Sequence, residues 1–83
     1  MKIRIYADFN NRNEDGFVRL TVVGSERDLT KYETSLTEGI NVILYDEELE
    51  IDATLKRDPR LNIWLGVPDW TTRRDLDSNS TSE

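Results

Sequence analysis

Asp46, Glu47, Glu48, Glu50 and Asp52 bring five carboxylates together in one short stretch of the chain. Clustered carboxylates hold hard cations such as calcium. The spacing here is not that of an EF-hand loop, and the glycine that turns such a loop is missing. Glu50 and Asp52 fall on the same side of an alternating segment, where like charges repel unless they are solvated or paired. An exposed acidic turn followed by a solvated strand face accounts for the run, so no metal site is expected. The better functional use of these groups is a surface for a basic partner.

A second set is aromatic. Tyr6, Tyr45 and Trp64 fall at outward positions of the alternating segments, Trp70 follows the last of them, and Arg4 and Arg19 lie on comparable faces. Rings interleaved with arginine stack bases on small barrels, dock peptides or anchor protein interfaces. The competing expectation is that a helical insertion and residues 68–70 fold over the rings and make a second small core, and for Trp64 this is preferred. A third set, Asp8 with Asp69, has the residue types of an acid–base pair. Such work needs one carboxyl with a raised pKa in a pocket, and turn hydrogen bonding is the expectation for both. Arg57 with Arg60, and Arg73 with Arg74, are short basic groups flanked by acids and read as salt-bridged surface. The chain has no phosphate-binding glycine loop, nucleophile elbow or metal-ligand spacing.

The composition narrows the chemistry further. Neither cysteine nor histidine occurs in the 83 residues. Disulfides and thiolate sites are excluded, and the commonest general acid–base group and zinc ligand is missing. Seventeen acids face eleven bases, for a net charge of −6. Residues 71–83 hold two arginines against three acids, so five of the six excess negative charges lie in residues 1–70. A field of that sign repels phosphate backbones and favours basic partners. No signal-peptide h-region follows the first methionine, and the longest apolar run, residues 42–45, is too short to span a membrane. A cytoplasmic location is expected, with no cofactor.

These side chains need a scaffold, and the alternation supplies one. Residues 2–9 place Ile3, Ile5, Ala7 and Phe9 on one face. Asp15-Gly16 favours a tight turn, and residues 17–23 resume with Val18, Leu20 and Val22 inward. These two segments are expected to pair antiparallel. Gly24 breaks the pattern. Ser25 with Asp28 resembles an imperfect capping box, and Leu29, Tyr32 and Leu36 fall at helical spacing up to Gly39. Three more strands follow. One has Ile40, Val42 and Leu44 inward, the next Leu49, Ile51, Ala53 and Leu55, and the last Leu61, Ile63, Leu65 and Val67. Asp46-Glu47-Glu48 and Asp58-Pro59-Arg60 turn between them, and Pro68 ends the last. Gly66 marks a bend or a close backbone approach. The expected fold is all-β: a five-stranded antiparallel barrel, SH3-like with OB-like as the alternative, and a short helical or loop insertion between strands two and three. The expected organisation is one small domain over 1–70 and a polar, disordered tail over 71–83.

Ile3-Arg-Ile-Tyr-Ala-Asp-Phe-Asn-Asn11, Gly24-Ser25 with Asp28-Leu29, Glu38-Gly39 leading to Leu44-Tyr45, and Val67-Pro-Asp-Trp70 are similar to segments of a group of short bacterial β-rich proteins of unknown function. The resemblance implies a compact intracellular domain from a bacterium or one of its phages. It brings no activity and no functional residue. The functional expectation is a non-enzymatic protein-binding module or inhibitor, with an acidic surface that meets a basic protein. Tyr6, Tyr45, Glu47, Glu48, Glu50, Asp52, Trp64 and Trp70 are the contact residues. RNA or single-stranded DNA binding by Tyr6, Trp64, Arg4 and Arg19 is the alternative, and a small-molecule or nucleotide pocket is the third.

Overall fold

A computed structural model of the protein describes residues 2–76. Its strands are β1 (Arg4–Tyr6), β2 (Val18–Arg19), β3 (Asn41–Tyr45), β4 (Leu49–Asp58), β5 (Ile63–Pro68) and β6 (Arg74–Asp75). The single α-helix among the described residues, α1, spans Val23–Lys31, and 3-10 turns follow at Glu33–Ser35 and Trp70–Thr72. The strands form one curled, open sheet, a half-barrel, in the order β1-β3-β4-β5-β2, with β6 also paired to β4.

The three-strand meander forms where alternation is strongest. β3 and β4 pair antiparallel through Leu44 opposite Ile51 and Val42 opposite Ala53. The Asp46 carboxylate shapes the connecting turn by accepting from the N–H groups of Glu48 (2.7 Å) and Leu49 (2.9 Å). Asp58 does the same beyond β4, accepting from Arg60 and Leu61, and Asn62 takes the left-handed conformation at φ 56°. An asparagine tolerates that conformation better than most residues. Side chains of Ile5, Ala7, Val18, Leu20, Val42, Leu44, Ile51, Ala53 and Leu55 fill the inner face. Burial on this scale, worth roughly 1.5–3 kcal/mol per large aliphatic side chain, is the main stabilising term.

The pairing of the N-terminal strands differs from the expectation. β1 and β2 do not form a hairpin. β1 lies beside β3 and runs parallel to it, with Tyr6 level with Tyr45, while β2 pairs antiparallel with β5 at the other side of the sheet. A parallel neighbour requires a long crossover, and β2 with α1 supplies it. The Asp15-Gly16 turn does form, with Gly16 at φ 84°, but it folds residues 11–13 back on 17–19.

β5 is out of phase with the expectation by one residue. Gly66 stands opposite Leu55, and Trp64 opposite Arg57. Trp64 and Gly66 therefore point to the inner face, and Leu65, though buried, points to the other, opposite Lys56. Glycine suits position 66, because an added Cβ would come within 2.6 Å of Leu44 Cδ1 and the buried leucine would have to shift. Residues 70–76 also take on structure. The 3-10 turn at Trp70 brings β6 alongside the first residues of β4, with Leu49 opposite Asp75 and Glu50 opposite Arg74. The expected polar tail therefore contributes an edge strand, and its remainder, 77–83, lies outside the described residues.

Candidate functional site

The parallel register of β1 and β3 sets Tyr6 next to Tyr45 on the outer face, with ring centroids 5.7 Å apart and the planes at 84°. Helix α1 closes over this pair from the edge of β1. Gly24 makes the approach possible, since a Cβ there would fall 2.7 Å from Cδ2 of the Tyr6 ring. Between helix, strand and turn lies an open concavity of about 550 Å³ lined by Tyr6, Gly24, Arg27, Tyr45, Asp46 and Glu47. The Tyr6 hydroxyl donates to the Glu47 carboxylate, 3.2 Å from Oε2.

Asp28 ties the assembly together. It is 8% exposed, and its Oδ2 accepts from the Tyr6 backbone N–H and from the Tyr45 hydroxyl, each at 2.9 Å. Arg27 Nε lies 3.3 Å from Oδ1. Burial pushes the Asp28 carboxyl up, but the Tyr6 N–H, Tyr45 hydroxyl and Arg27 bonds outweigh it and hold the group below the usual carboxylate range. Burial, then the bond to Asp28, pushes the Tyr45 phenol up. Ser25 Oγ donates to the Tyr6 carbonyl at 2.5 Å. The expected capping box is therefore something else. The helix begins after Val22 with no side-chain cap, and Ser25 and Asp28, three apart on one helix face, both bond the backbone of Tyr6.

Next to the concavity, the acidic face of β4 is already matched with cations. Arg4 Nη1 approaches Glu50 Oε1 at 2.5 Å, and Arg74 contacts Glu50 (2.8 Å) and Asp52 (3.1 Å). Lys2 lies 3.7 Å from Asp52. The bonds from Arg4 and then Arg74 hold the Glu50 carboxyl below its ordinary range. The Arg4 guanidinium also sits 4.8 Å from the centroid of the Tyr45 ring. Glu48 occupies the turn, is exposed and does not line the concavity.

Of the expected contact residues, the fold brings Tyr6, Tyr45 and Glu47 together and sets Glu50 and Asp52 beside them as paired groups. Trp64 is elsewhere. It packs against the inner core with Arg57 4.9 Å from its ring centroid. Trp70 is 42% exposed and packs on Phe9, with centroids 5.9 Å apart. Arg19 Nη1 donates to the carbonyl of Arg12 and to Asn11 Oδ1. Tyr6, Trp64, Arg4 and Arg19 therefore do not form one aromatic platform. Asp8 accepts from the Asn10 N–H, and Asp69 from the N–H and hydroxyl of Thr71, so each shapes its own turn. No group of three or more metal-ligating side chains is found among the described residues. Likewise, none of their helices is long and apolar enough to cross a membrane.

Gly24, Ser25, Arg27 and Asp28 belong to the site although the sequence marks none of them for binding. The available signal was the polar pair at positions 25 and 28 in a helix with few apolar residues. No protein-family model, curated protein or solved structure matches the chain.

Proposed function

We propose that the protein is a non-enzymatic binding module that recognises a basic segment of another protein through the concavity between Tyr6, Tyr45 and Glu47. One observation carries this reading. Asp46 and Glu47 rim an open depression of about 550 Å³ walled by two tyrosine rings, while the neighbouring Glu50 and Asp52 are paired with arginines of the same chain. A lysine or arginine side chain suits it. The apolar stem lies along the rings and the charged head meets the carboxylates. The net charge of −6 steers a basic partner toward the protein and a nucleic acid away from it. The contact centre thus moves from the whole run 46–52 to its first two residues and the tyrosines. A cytoplasmic inhibitor of a basic target is one form of the same proposal. The depression also falls in the size range of small-molecule sites, roughly 300–1,000 Å³, so a small cationic ligand is the second reading that it favours.

Selection from a random peptide display library tests the proposal. The expected result is enrichment of sequences with lysine or arginine, and competition of the selected peptides by one another. Enrichment of neutral or acidic peptides would overturn it. Failure to select any peptide, with saturable binding of small amines that shifts the Tyr6 and Tyr45 resonances, would transfer the site to the second reading.

A further inference from the structure

The outer edge of β1 is covered by a helix where a sheet would place another strand. The Ile43 N–H bonds the Ile3 carbonyl (2.8 Å) and the Ala7 N–H bonds the Tyr45 carbonyl (2.9 Å), so the odd-numbered residues of this segment face β3. Strand alternation turns the backbone groups of Arg4 and Tyr6 the other way. At Tyr6 both are satisfied by side chains, the N–H by Asp28 and the carbonyl by Ser25. At Arg4 no protein group meets them among the described residues. The cover itself is held by few apolar contacts. Ser25 and Asp28 are the buried residues of α1, Val23 is 85% exposed, and Leu29 is partly buried against the core. An element held mainly by polar contacts opens at lower cost than the core strands.

We propose that the β1 edge is a masked strand-addition site. In the free protein α1 occupies it; in the complex an extended segment of the basic partner replaces Ser25 and Asp28 at Tyr6 and continues along Arg4. Backbone pairing supplies adhesion and alternate side chains supply specificity in this mode. The occupant is an extended protein segment because the exposed and masked groups have the spacing of a strand. It is basic because Asp46 and Glu47 line the concavity that Tyr6 and α1 share. The inference rests on the binding proposed above, and it adds the conformation of the partner and the movement of α1.

The probe is a capped octapeptide of alternating lysine and valine, titrated by amide NMR into the wild type and into Ser25→Ala/Asp28→Ala. Two further probes carry N-methyl groups on one or the other set of alternate residues. The double variant is expected to bind the unmodified probe at least tenfold more tightly than the wild type, with shifts centred on the Arg4 and Tyr6 amides. One methylated probe should lose that binding and the other keep it. If the double variant does not fold by circular dichroism, Gly24→Ala replaces it, because the added Cβ presses α1 away from the Tyr6 ring. Equal affinity for wild type and variant, indifference to both methylation patterns, or dimerisation of the variant through this edge would overturn the inference. If it fails while basic display peptides still bind the concavity, only the edge mechanism is lost.

Discussion

The inner face of the sheet and the outer corner at β1 solve the same problem by different means. On the inner face, Ile5, Val42, Leu44, Ile51 and Leu55 have no accessible surface, and shape and volume hold them in place. At the outer corner, Ser25, Asp28, Tyr6, Tyr45 and Glu47 are held by directed hydrogen bonds, and a depression is left open between them. Apolar packing is nondirectional and costs free energy wherever a void opens. Hydrogen bonds can be exchanged, one donor for another, at small net cost. In the proposed complex the corner would trade internal contacts for a partner's, while the inner face would keep the sheet intact.

Substitutions in the two regions should differ in size and in kind. Leu44→Ala has the largest expected effect, a loss of roughly 2–5 kcal/mol from the side chain and the cavity it leaves. Measured by urea unfolding, that is a large part of a stability that is commonly about 5–15 kcal/mol. Equal tolerance at Leu44 and Tyr6 would break the distinction. Asp28→Asn comes next, at roughly 1.5–3 kcal/mol near neutral pH, because bonds to a charged acceptor are lost.

That second substitution has a pH signature. The folded carboxyl of Asp28 lies below its ordinary range, whereas the unfolded value is about 3.9. The unfolded chain takes up the proton first, so the stabilisation is complete above the unfolded pKa and is lost as the pH falls through the lower folded value. Glu50 behaves in the same direction. The acid limb of the stability profile should flatten in Asp28→Asn and keep the contribution of Glu50. An unchanged limb would show that Asp28 is not the group that ties α1 to β1. Arg74→Ala should cost less than either, because its pairs are partly exposed and surface ion pairs contribute little. Thermal unfolding at low and high salt checks this, and the gap between variant and wild type should narrow with salt.

The inner face was readable in advance because alternation is a local signal. Val42, Leu44, Ile51, Ala53 and Leu55 lie where a period of two puts them. Two features were not local. The pairing of β1 depends on the crossover, and an Asp-Gly turn satisfies the same signal whether it joins β1 to β2 or closes a smaller loop ahead of β2. The phase of β5 places Gly66 against Leu44. Leu61, Ile63, Leu65 and Val67 make the more apolar face, yet the close approach of Leu44 favours a residue without a Cβ at the inward position. Tyr6, Tyr45 and Glu47 were legible as outward groups, but their meeting rests on the parallel register. Ser25 and Asp28 carried a helix-start pattern whose use depends on a strand distant in sequence.

The most direct test of the central claim compares two charge reversals of equal size. Glu47 lines the concavity and accepts from Tyr6, whereas neighbouring Glu48 does not line it. Both residues are in the exposed turn, and either substitution should change stability by no more than about 0.5 kcal/mol. The measurement is the Kd of one display-selected basic peptide for the wild type, Glu47→Lys and Glu48→Lys at the same ionic strength. A site at Tyr6, Tyr45 and Glu47 should show at least a tenfold loss for Glu47→Lys and less than a threefold change for Glu48→Lys. Equal losses in the two variants would reduce the interaction to net charge and contradict a site at Tyr6, Tyr45 and Glu47.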